Sequence, residues 1–344
     1  MPNANPQTDS ELQVVIGVLT FHRPEQIQQT VRLLHAQLSD LAEGDSGQVL
    51  VVDNDPAGSG RDAVEALGLD RVRVVVEPTP GIAAARNRAL DEAQGNDLLL
   101  FLDDDGRPGE GWLRRMVDAW RASGAAGVAG WVDTHYLGEV DPWIMAGGFF
   151  TRRQWTDGQD LPAAACGNLL LDLHQVGDRR FSLGLGLSGG EDTLLTKSLI
   201  ADGGRIVFCR DGIVIDQVAT DRINRRWVLL RAFSHGNTGG ILDMHLTDSR
   251  MARPKLAANG LARLGGGAAR ALVGVGRRNP VDQARGSRAA MRGLGMLVAA
   301  AGVSYQEYAR EGGFKDRFVA IPDVVAPGTF TTRRTSVPTA EEHA

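Results

Sequence analysis

Residues 98–105 read LLLFLDDD, an apolar run that passes directly into three carboxylates. A run in which every side chain is apolar is typical of a strand that is covered by helices on both faces of a parallel sheet. The three aspartates then lie just beyond the carboxyl end of that strand, and ligands bind at this edge of open α/β sheets. Residues 98–105 therefore predict both a parallel sheet and the position of its site.

Three similar apolar runs precede this one, and segments with helical periodicity separate them. The runs are Val14–Leu19, Val49–Val52 and Val72–Val76. Each ends in polar residues, and alternation of strands with helices is the pattern of βα units stacked around a parallel sheet. The fold class predicted is α/β, a mostly parallel, Rossmann-like sheet with helices on both faces.

The second half of this α/β region follows a looser pattern. It predicts strands at Val128–Val132, Asn168–Leu173 and Arg205–Cys209, and a helix from Asp192 to about Ala201. We therefore predict one α/β domain over residues 13–240, with a disordered N-terminus at 1–12. A basic helical extension is expected at 241–321, and a flexible tail rich in Pro, Thr and Glu at 322–344.

Composition limits the classes of protein. The chain has 344 residues, is 43% hydrophobic and carries a net charge of −5, which does not favour a nucleic-acid-binding protein. Cys166 and Cys209 provide neither a disulfide framework nor a zinc cluster. The first residues lack a secretory signal, and no apolar run reaches the roughly 20 residues of a membrane-spanning helix. We expect a cytoplasmic protein.

The C-terminal extension reverses the overall charge. Between Arg250 and Arg292 there are ten Arg or Lys residues and one acidic residue, Asp282, and an apolar run follows at Gly293–Ala301. One interpretation is peripheral docking on the anionic inner face of a membrane. In the other, the arginines lie on solvated helix faces while the apolar run packs against the α/β domain, in a monomer or a homodimer.

The three aspartates of residues 103–105 are candidates for a metal site. Alternate residues of an extended segment point the same way, so Asp103 and Asp105 share a side and Asp104 faces elsewhere. A hard divalent cation, held by one or two carboxylates and by substrate phosphate oxygens, would relieve their repulsion. The alternative is a solvated acidic turn, but the position directly after a buried strand favours the site.

Two further candidates are the acidic pair Glu191-Asp192 and Arg86. Acidic residues at a helix start are favoured by the macrodipole without any function, yet near a metal site a carboxylate is suited to take a proton from a hydroxyl. Arg86 follows the third strand, where a guanidinium suits bidentate contact with phosphate. No dinucleotide fingerprint or P-loop occurs in the sequence.

Five segments in this order resemble family 2 glycosyltransferases of the GT-A fold, over roughly Val14 to Gly236. The segments are 14–24, 51–54, 81–87, 101–105 and 190–192. Residues 221–227 and 231–237 look like the bacterial polysaccharide and glycoconjugate branch of that family. The resemblance implies that 13–240 is a GT-A catalytic domain and that a C-terminal helical extension follows it.

The resemblance also implies roles for individual residues. Thr20, Phe21 and Arg23 would lie near the nucleotide, Asp53 would accept a hydrogen bond from the base, and Arg86 would reach the base or the diphosphate. The DxD motif corresponds to Asp103, Asp104 and Asp105: one carboxylate contacts the donor ribose, and the metal, Mg²⁺ or Mn²⁺, is held by Asp105 with Asp103. Asp192 corresponds to the catalytic base, with Glu191 beside it.

The activity implied is inverting transfer of a sugar from a nucleotide-diphosphate donor, most commonly a UDP-sugar, to a hydroxyl acceptor that is lipid-linked in many bacterial relatives. Two departures stand out: His22 replaces a common Asn, and Asp216-Gln217 stand where many relatives carry a metal-binding His. Two alternatives stay open. They are a nucleotidyltransferase, for which residues 20–24 lack the Gly-rich basic loop, and a non-catalytic nucleotide-sugar-binding protein.

Overall fold

We analysed a computed structural model, which describes residues 11–247, 249–310, 313–322 and 324. Ten strands and ten α-helices lie in this part of the chain, joined by short 3₁₀ turns. The strands are β1 (Gln13–Thr20), β2 (Ser46–Asp53), β3 (Val72–Val76), β4 (Leu98–Asp103), β5 (Gly106–Pro108), β6 (Gly127–Tyr136), β7 (Asn168–Asp172), β8 (Ile206–Val218), β9 (Val303–Tyr305) and β10 (Phe318–Ala320). The helices are α1 (Pro24–Gln37), α2 (Ser59–Glu65), α3 (Ile82–Glu92), α4 (Trp112–Ser123), α5 (Pro142–Gly147), α6 (Leu173–Val176), α7 (Glu191–Ala201), α8 (Arg225–Leu246), α9 (Ala252–Gly276) and α10 (Pro280–Ala300).

Eight strands form one mixed sheet in the order β3-β2-β1-β4-β7-β6-β8-β5. The first four strands in this order are parallel, whereas β7 runs antiparallel to both β4 and β6. The long strand β8 is parallel to β6 and then pairs antiparallel with β5. The α/β sheet predicted from the apolar runs is confirmed, and so are the predicted strands in both halves.

Helices cover both faces of the sheet because alternate residues of each strand point to opposite sides. On β4, Leu98, Leu100 and Leu102 pack with α1 and α4 in one core, while Leu99 and Phe101 pack with α3 and α7 in the other. All five side chains are fully buried. This double burial is why the strand sequences are apolar runs rather than alternating patterns.

The three long helices α8, α9 and α10 make up most of the C-terminal part of the described chain, and the antiparallel strands β9 and β10 follow them, so the extension predicted as helical also contains a small sheet. Helices α8 and α10 touch through their backbones, since a Cβ on Gly236 would lie 2.1 Å from the carbonyl oxygen of Arg292, and one on Gly295 equally close to that of Phe233. Only glycine permits this approach. One side of the apolar run 293–301 packs inside the molecule, where Ala299 is fully buried beside Leu256 and Ile241, whereas Leu294 on the other side is exposed.

The boundaries of the predicted regions differ in detail from the structure. The division at residue 240 falls inside α8, which continues to Leu246. Leu12, assigned to the N-terminus, is 2% exposed and belongs to the core. Residues 1–10 and all but 322 and 324 of the predicted tail lie outside the described residues. No helix among the described residues has the length and apolar character to span a membrane.

Candidate active site

The polar ends of β1, β2 and β4 meet at one edge of the sheet, as their sequences predict. Strand β1 lies between the other two, so Thr20 pairs with Asp53 and Leu19 with Asp103. A cleft of about 440 Å³, which we call the outer cleft, opens at this edge. It is lined by Thr20, Phe21, Arg23, Asp103, Asp104, Asp105 and Arg310, among others.

Asp104 connects the loops after β1 and β4. Its carboxylate accepts hydrogen bonds from the Thr20 hydroxyl at 3.1 Å and from the Arg23 guanidinium at 2.7 Å. Asp104 is 6% exposed, and burial raises its pKa while Arg23 counteracts that effect. Three residues assigned to donor binding therefore form one connected group. The predicted alternation does not continue past Asp103, because the strand ends there and Asp104 and Asp105 form a turn in which both carboxylates approach the same nitrogen of Arg23.

Asp103, Asp105 and Asp216 form an acidic cluster. Asp216 joins it because β8 pairs with β5 so that Asp216 lies opposite Gly106. Burial, with added repulsion from Asp105 and Asp104, raises the pKa of Asp103 to about 6, and Arg86 counteracts this. Burial and Asp105 likewise raise the pKa of Asp216. Crowding of carboxylates in a poorly hydrated place favours binding of a cation.

Asp105 contacts two arginines besides this cluster. Its Oδ2 lies 3.2 Å from Arg222 and 3.5 Å from Arg23. Arg222 follows β8 in the chain and lies inside a segment that the sequence linked to the family without giving the residue a role. Asp105 itself keeps part of its side chain, 14%, exposed to solvent. It is therefore accessible for a ligand that enters the outer cleft.

Asp53 is fully buried at the end of β2. One carboxylate oxygen accepts from the backbone N–H of Asp55, and the other from those of Gly60 and Arg61 at 2.7 and 2.9 Å. These bonds hold the loop between β2 and α2 and satisfy the N-terminus of that helix. The structure thus gives Asp53 a positioning role, and its predicted bond to a nucleobase stays a prediction.

Residues from the far end of the described chain complete the outer cleft. The guanidinium of Arg310 lies over the Phe21 ring, 3.6 Å from its centroid, and donates to the backbone oxygen of Asn54 at 2.8 Å. Tyr308 also lines this cleft, and its backbone N–H donates to the carbonyl of Leu187. The sequence contains no signal for these contacts, because neither residue lies in a motif or next to a strand end.

Arg86 and Glu191 form a buried ion pair, in which each residue is less than 4% exposed. Burial raises the pKa of Glu191, and the charge of Arg86 counteracts that effect. One carboxylate oxygen of Glu191 has no hydrogen-bond partner within the described residues, so the ion pair leaves this buried acceptor unsatisfied. In this arrangement Arg86 joins α3 to the start of α7, and its predicted contact with the donor remains a prediction.

Asp192, the next residue, differs from Glu191 in being partly exposed. Its Oδ1 accepts from the backbone N–H of Thr193 at 2.6 Å, and its Oδ2 from that of Cys166 at 3.4 Å. No cation pairs with Asp192 among the described ion pairs. The two acidic residues line the same cavity but differ in their surroundings: Glu191 is buried and paired with Arg86, whereas Asp192 is partly exposed and is held by backbone N–H groups.

That cavity, which we call the inner cavity, has a volume of about 610 Å³ and adjoins the outer cleft. The two spaces share the acidic cluster of Asp103, Asp105 and Asp216. The inner cavity is also lined by Asp192, Trp131, Arg231, His235 and Arg292. Two ligands, one in each space, would meet at the acidic cluster with Asp192 beside them.

The acidic cluster is suited to a divalent cation without enclosing one. Its oxygen ligands are those that Mg²⁺ and Mn²⁺ prefer. Within the described ranges, no group of three or more His, Cys, Asp or Glu side chains is arranged to hold a metal ion alone. The residues fit a metal that takes part of its coordination from a bound phosphate, as expected from the absence of a His at 216–217.

Comparisons with known proteins agree with this architecture. The sequence pattern of the family described as Glycosyl transferase family 2 matches residues 15–172. The Succinoglycan biosynthesis protein ExoM of Rhizobium meliloti (strain 1021) is 37% identical over 236 residues, which cover 67% of this chain and 75% of that protein.

Two solved structures are similar at low identity. One is the mannosyltransferase PcManGT from Pyrobaculum calidifontis in complex with GDP-Man and Mn²⁺. It is 16% identical with a TM-score of 0.51, and the match covers 85% of this chain and 90% of that one. The other is GalNAc-T7 with UDP, GalNAc and Mn²⁺, 14% identical with a TM-score of 0.49; the match covers 67% of this chain but only 51% of that one, about half its length.

The mixed sheet, its acidic strand end and the likeness to the mannosyltransferase define a protein of the GT-A fold. The 37% sequence identity with the Rhizobium protein and the match to the family pattern then assign the chain to a family. This chain belongs to glycosyl transferase family 2. It is a glycosyltransferase, and the nucleotidyltransferase and the non-catalytic binding protein that the sequence left open are disfavoured.

Proposed function

We propose that this chain is an inverting, metal-dependent glycosyltransferase that moves a sugar from a nucleotide-diphosphate sugar to a hydroxyl acceptor. One observation carries the proposal: the acidic cluster and the anchored carboxylate of Asp192 line the same cavity. A metal-phosphate site and a general base are the two groups that a single displacement at an anomeric carbon needs. The name of the Rhizobium relative supports polysaccharide biosynthesis as the setting.

The donor would lie in the outer cleft. Thr20, Phe21 and Arg23 offer a hydroxyl, a ring and a guanidinium to the nucleotide, while Arg310 adds a second cation near Phe21. Asp105 and Asp103 would hold Mg²⁺ or Mn²⁺ together with the donor diphosphate. When bound, the ion supplies positive charge that stabilises the leaving nucleoside diphosphate.

The acceptor would enter through the inner cavity. Asp192 takes the proton from the acceptor hydroxyl, and that oxygen forms a bond to the anomeric carbon as the bond from this carbon to the diphosphate oxygen breaks. The configuration at the anomeric carbon is inverted, and the nucleoside diphosphate leaves. Glu191 keeps Arg86 charged and in place behind this site, while the backbone bonds to Asp192 fix the direction of its carboxylate.

A donor screen tests this function directly. Purified chain is heated with several nucleotide sugars, UDP-sugars first, in the presence of Mn²⁺ or of EDTA. A ligand that binds only the folded state raises the melting temperature. We expect at least one donor to raise Tm with Mn²⁺ and to lose most of that effect in EDTA. An equal rise in both conditions would contradict the metal site, and no rise with any donor would contradict the function.

We further propose that helix α9 contacts an anionic membrane surface from the inner face. Leu261 and Leu272 are 61% and 71% exposed and lie about three turns apart, so they share one face. Arg263 and Arg270 are exposed on α9 as well, and each lies two residues from one of these leucines, about 200° around the helix. The two leucines would enter the lipid, and each arginine near an anionic surface would add about 1 kcal/mol of electrostatic attraction.

Co-sedimentation with vesicles tests this contact. We expect the full chain to sediment with anionic vesicles at low salt and to be released at high salt, because salt screens charges over roughly 8–10 Å. Leu272→Glu should lower the bound fraction by about tenfold, whereas Leu33→Glu, an exposed leucine on α1, should leave it unchanged. Equal recovery with neutral and anionic vesicles would contradict the proposal, and a dimer that Leu272→Glu dissociates would assign this face to a second copy.

A further inference from the structure

Basic side chains gather where α8 crosses α10. Arg231 and His235 are four residues apart on α8, and Arg288 and Arg292 are four apart on α10; such pairs lie on one face of a helix. The close backbone contact at Gly236 holds the two faces together. Arg231, His235 and Arg292 thereby form one wall of the inner cavity.

Part of this positive charge is neutralised by carboxylates. Arg231 pairs with Glu307 at 2.6 Å, and Arg152, which also lines the cavity, pairs with Asp216 at 3.0 Å. Arg231 also donates to the Tyr308 hydroxyl at 3.0 Å, yet each guanidinium has five N–H donors, so these partners do not occupy all of them. Their carboxylate partners therefore hold these two arginines in position without engaging all of their N–H donors.

The remaining charge has no carboxylate partner. Arg288 donates to the backbone oxygens of Gly147 and Gly148, and the guanidinium of Arg292 makes no hydrogen bond or ion pair with the described part of the chain. Arg292 thus lines the cavity with Arg288 and Arg263 as its charged neighbours and without a carboxylate partner, while Asp103, Asp105 and Asp192 line other parts of the same cavity. Like charges held together away from bulk water are destabilising unless an anion joins them.

The imidazole of His235 lies in the middle of this group. It makes no hydrogen bond to any described residue, and burial together with the surrounding arginines lowers its pKa to about 3. Burial and the charge of Arg288 likewise lower the pKa of Arg292. An unpartnered imidazole and an unpartnered guanidinium, side by side at a cavity wall, provide donors for an anionic ligand.

We propose that Arg292 and His235, supported by Arg152 and Arg231, form an anion subsite that binds a phosphate or diphosphate group of the acceptor. This inference rests on the proposed function, because it takes the inner cavity as the acceptor site. Phosphate oxygens fit the fork of arginine donors, and the wall lies in the same cavity as Asp192. Two carriers of that group fit the chemistry: a lipid diphosphate and a free sugar phosphate.

Titration of the full chain with inorganic pyrophosphate in EDTA, followed by calorimetry, tests the subsite. EDTA removes divalent ions and so suppresses binding of the anion at the acidic cluster. We expect saturable binding by the native protein and at least about tenfold weaker binding by Arg292→Gln, since a charge-assisted hydrogen bond is lost. Arg292→Lys should recover part of the affinity, because it restores the charge without the fork.

Arg32→Gln is the matched control, since it removes one exposed arginine of α1 outside the cavity and should bind like the native protein. Circular dichroism establishes that each variant is folded. Equal affinities of Arg292→Gln and Arg32→Gln, or no saturable binding by the native protein, would overturn the subsite.

Geranyl diphosphate in place of pyrophosphate distinguishes the two carriers. Tighter binding of the prenyl compound supports a lipid-borne acceptor, and equal or weaker binding supports a free sugar phosphate. A separate titration with UDP and Mn²⁺ reports on the donor site. Binding of UDP without binding of pyrophosphate contradicts the anion subsite alone, whereas failure of every nucleotide to bind contradicts the proposed function.

Discussion

Asp105→Ala is expected to reduce sugar transfer by about 10³-fold or more and to make donor binding insensitive to Mn²⁺. Asp105 is partly exposed and lines both the outer cleft and the inner cavity, and charge stabilisation by a metal ion is worth several kcal/mol in the transition state. The measurement is turnover with the donor that the screen identifies. Donor affinity is compared in Mn²⁺ and in EDTA.

The comparison needs controls, because Asp105 also pairs with Arg222 and Arg23. Asp105→Asn retains the size of the side chain and should lose activity to a similar degree while keeping the melting temperature. Asp243→Ala removes an exposed aspartate of α8 and should be fully active. Native turnover in Asp105→Ala, or in the native protein with excess EDTA, would show that no metal acts at this cluster.

Asp192→Asn is expected to lower turnover by about 10²–10⁴-fold, the usual contribution of a positioned general base, while donor affinity stays unchanged. The amide oxygen of Asn still accepts the hydrogen bond from Thr193, so the start of α7 keeps its structure. Turnover is measured with saturating donor and acceptor, and donor affinity by calorimetry. Loss of donor affinity in parallel with turnover would make Asp192 a structural residue.

Glu191→Gln provides the contrast within the same pair. It leaves the buried Arg86 without its counter-charge, and removing one partner of a buried ion pair costs about 3–5 kcal/mol. We therefore expect a large decrease in the free energy of unfolding, measured by denaturant, with turnover per folded molecule reduced much less than in Asp192→Asn. The opposite pattern in the two variants would exchange their roles.

The sheet could be predicted because strands that are buried on both faces have uninterrupted apolar sequences. Each of β1 to β4 is an apolar run that ends in polar residues, and parallel strands place those ends at one edge. From this alone Thr20, Arg23 and the three aspartates come together, whereas the alternation predicted along 103–105 does not hold, because β4 ends at Asp103 and a turn follows. The local sequence pattern was therefore sufficient to predict the part of the outer cleft that lies at the ends of β1 and β4.

The rest of this cleft depends on contacts between distant parts of the chain, which leave no local pattern. Arg222 lies 117 residues from Asp105, and Arg310 lies 256 residues from Asn54. The sequence likewise does not show which of two neighbouring residues is buried. Glu191 and Asp192 are adjacent acidic residues at a helix start that line the same cavity, and only packing against Arg86 decides that the first is buried in an ion pair and the second is not.

The contact of Arg310 with Phe21 and Asn54 has a consequence for synthesis of the protein in the cell. N-terminal regions fold first as a chain leaves the ribosome. The strand ends from β1 to β4 can thus assemble while translation continues, but the outer cleft lacks a wall until residue 310 has emerged. A growing chain that has not yet exposed residue 310 consequently lacks the wall that Arg310 gives to the outer cleft.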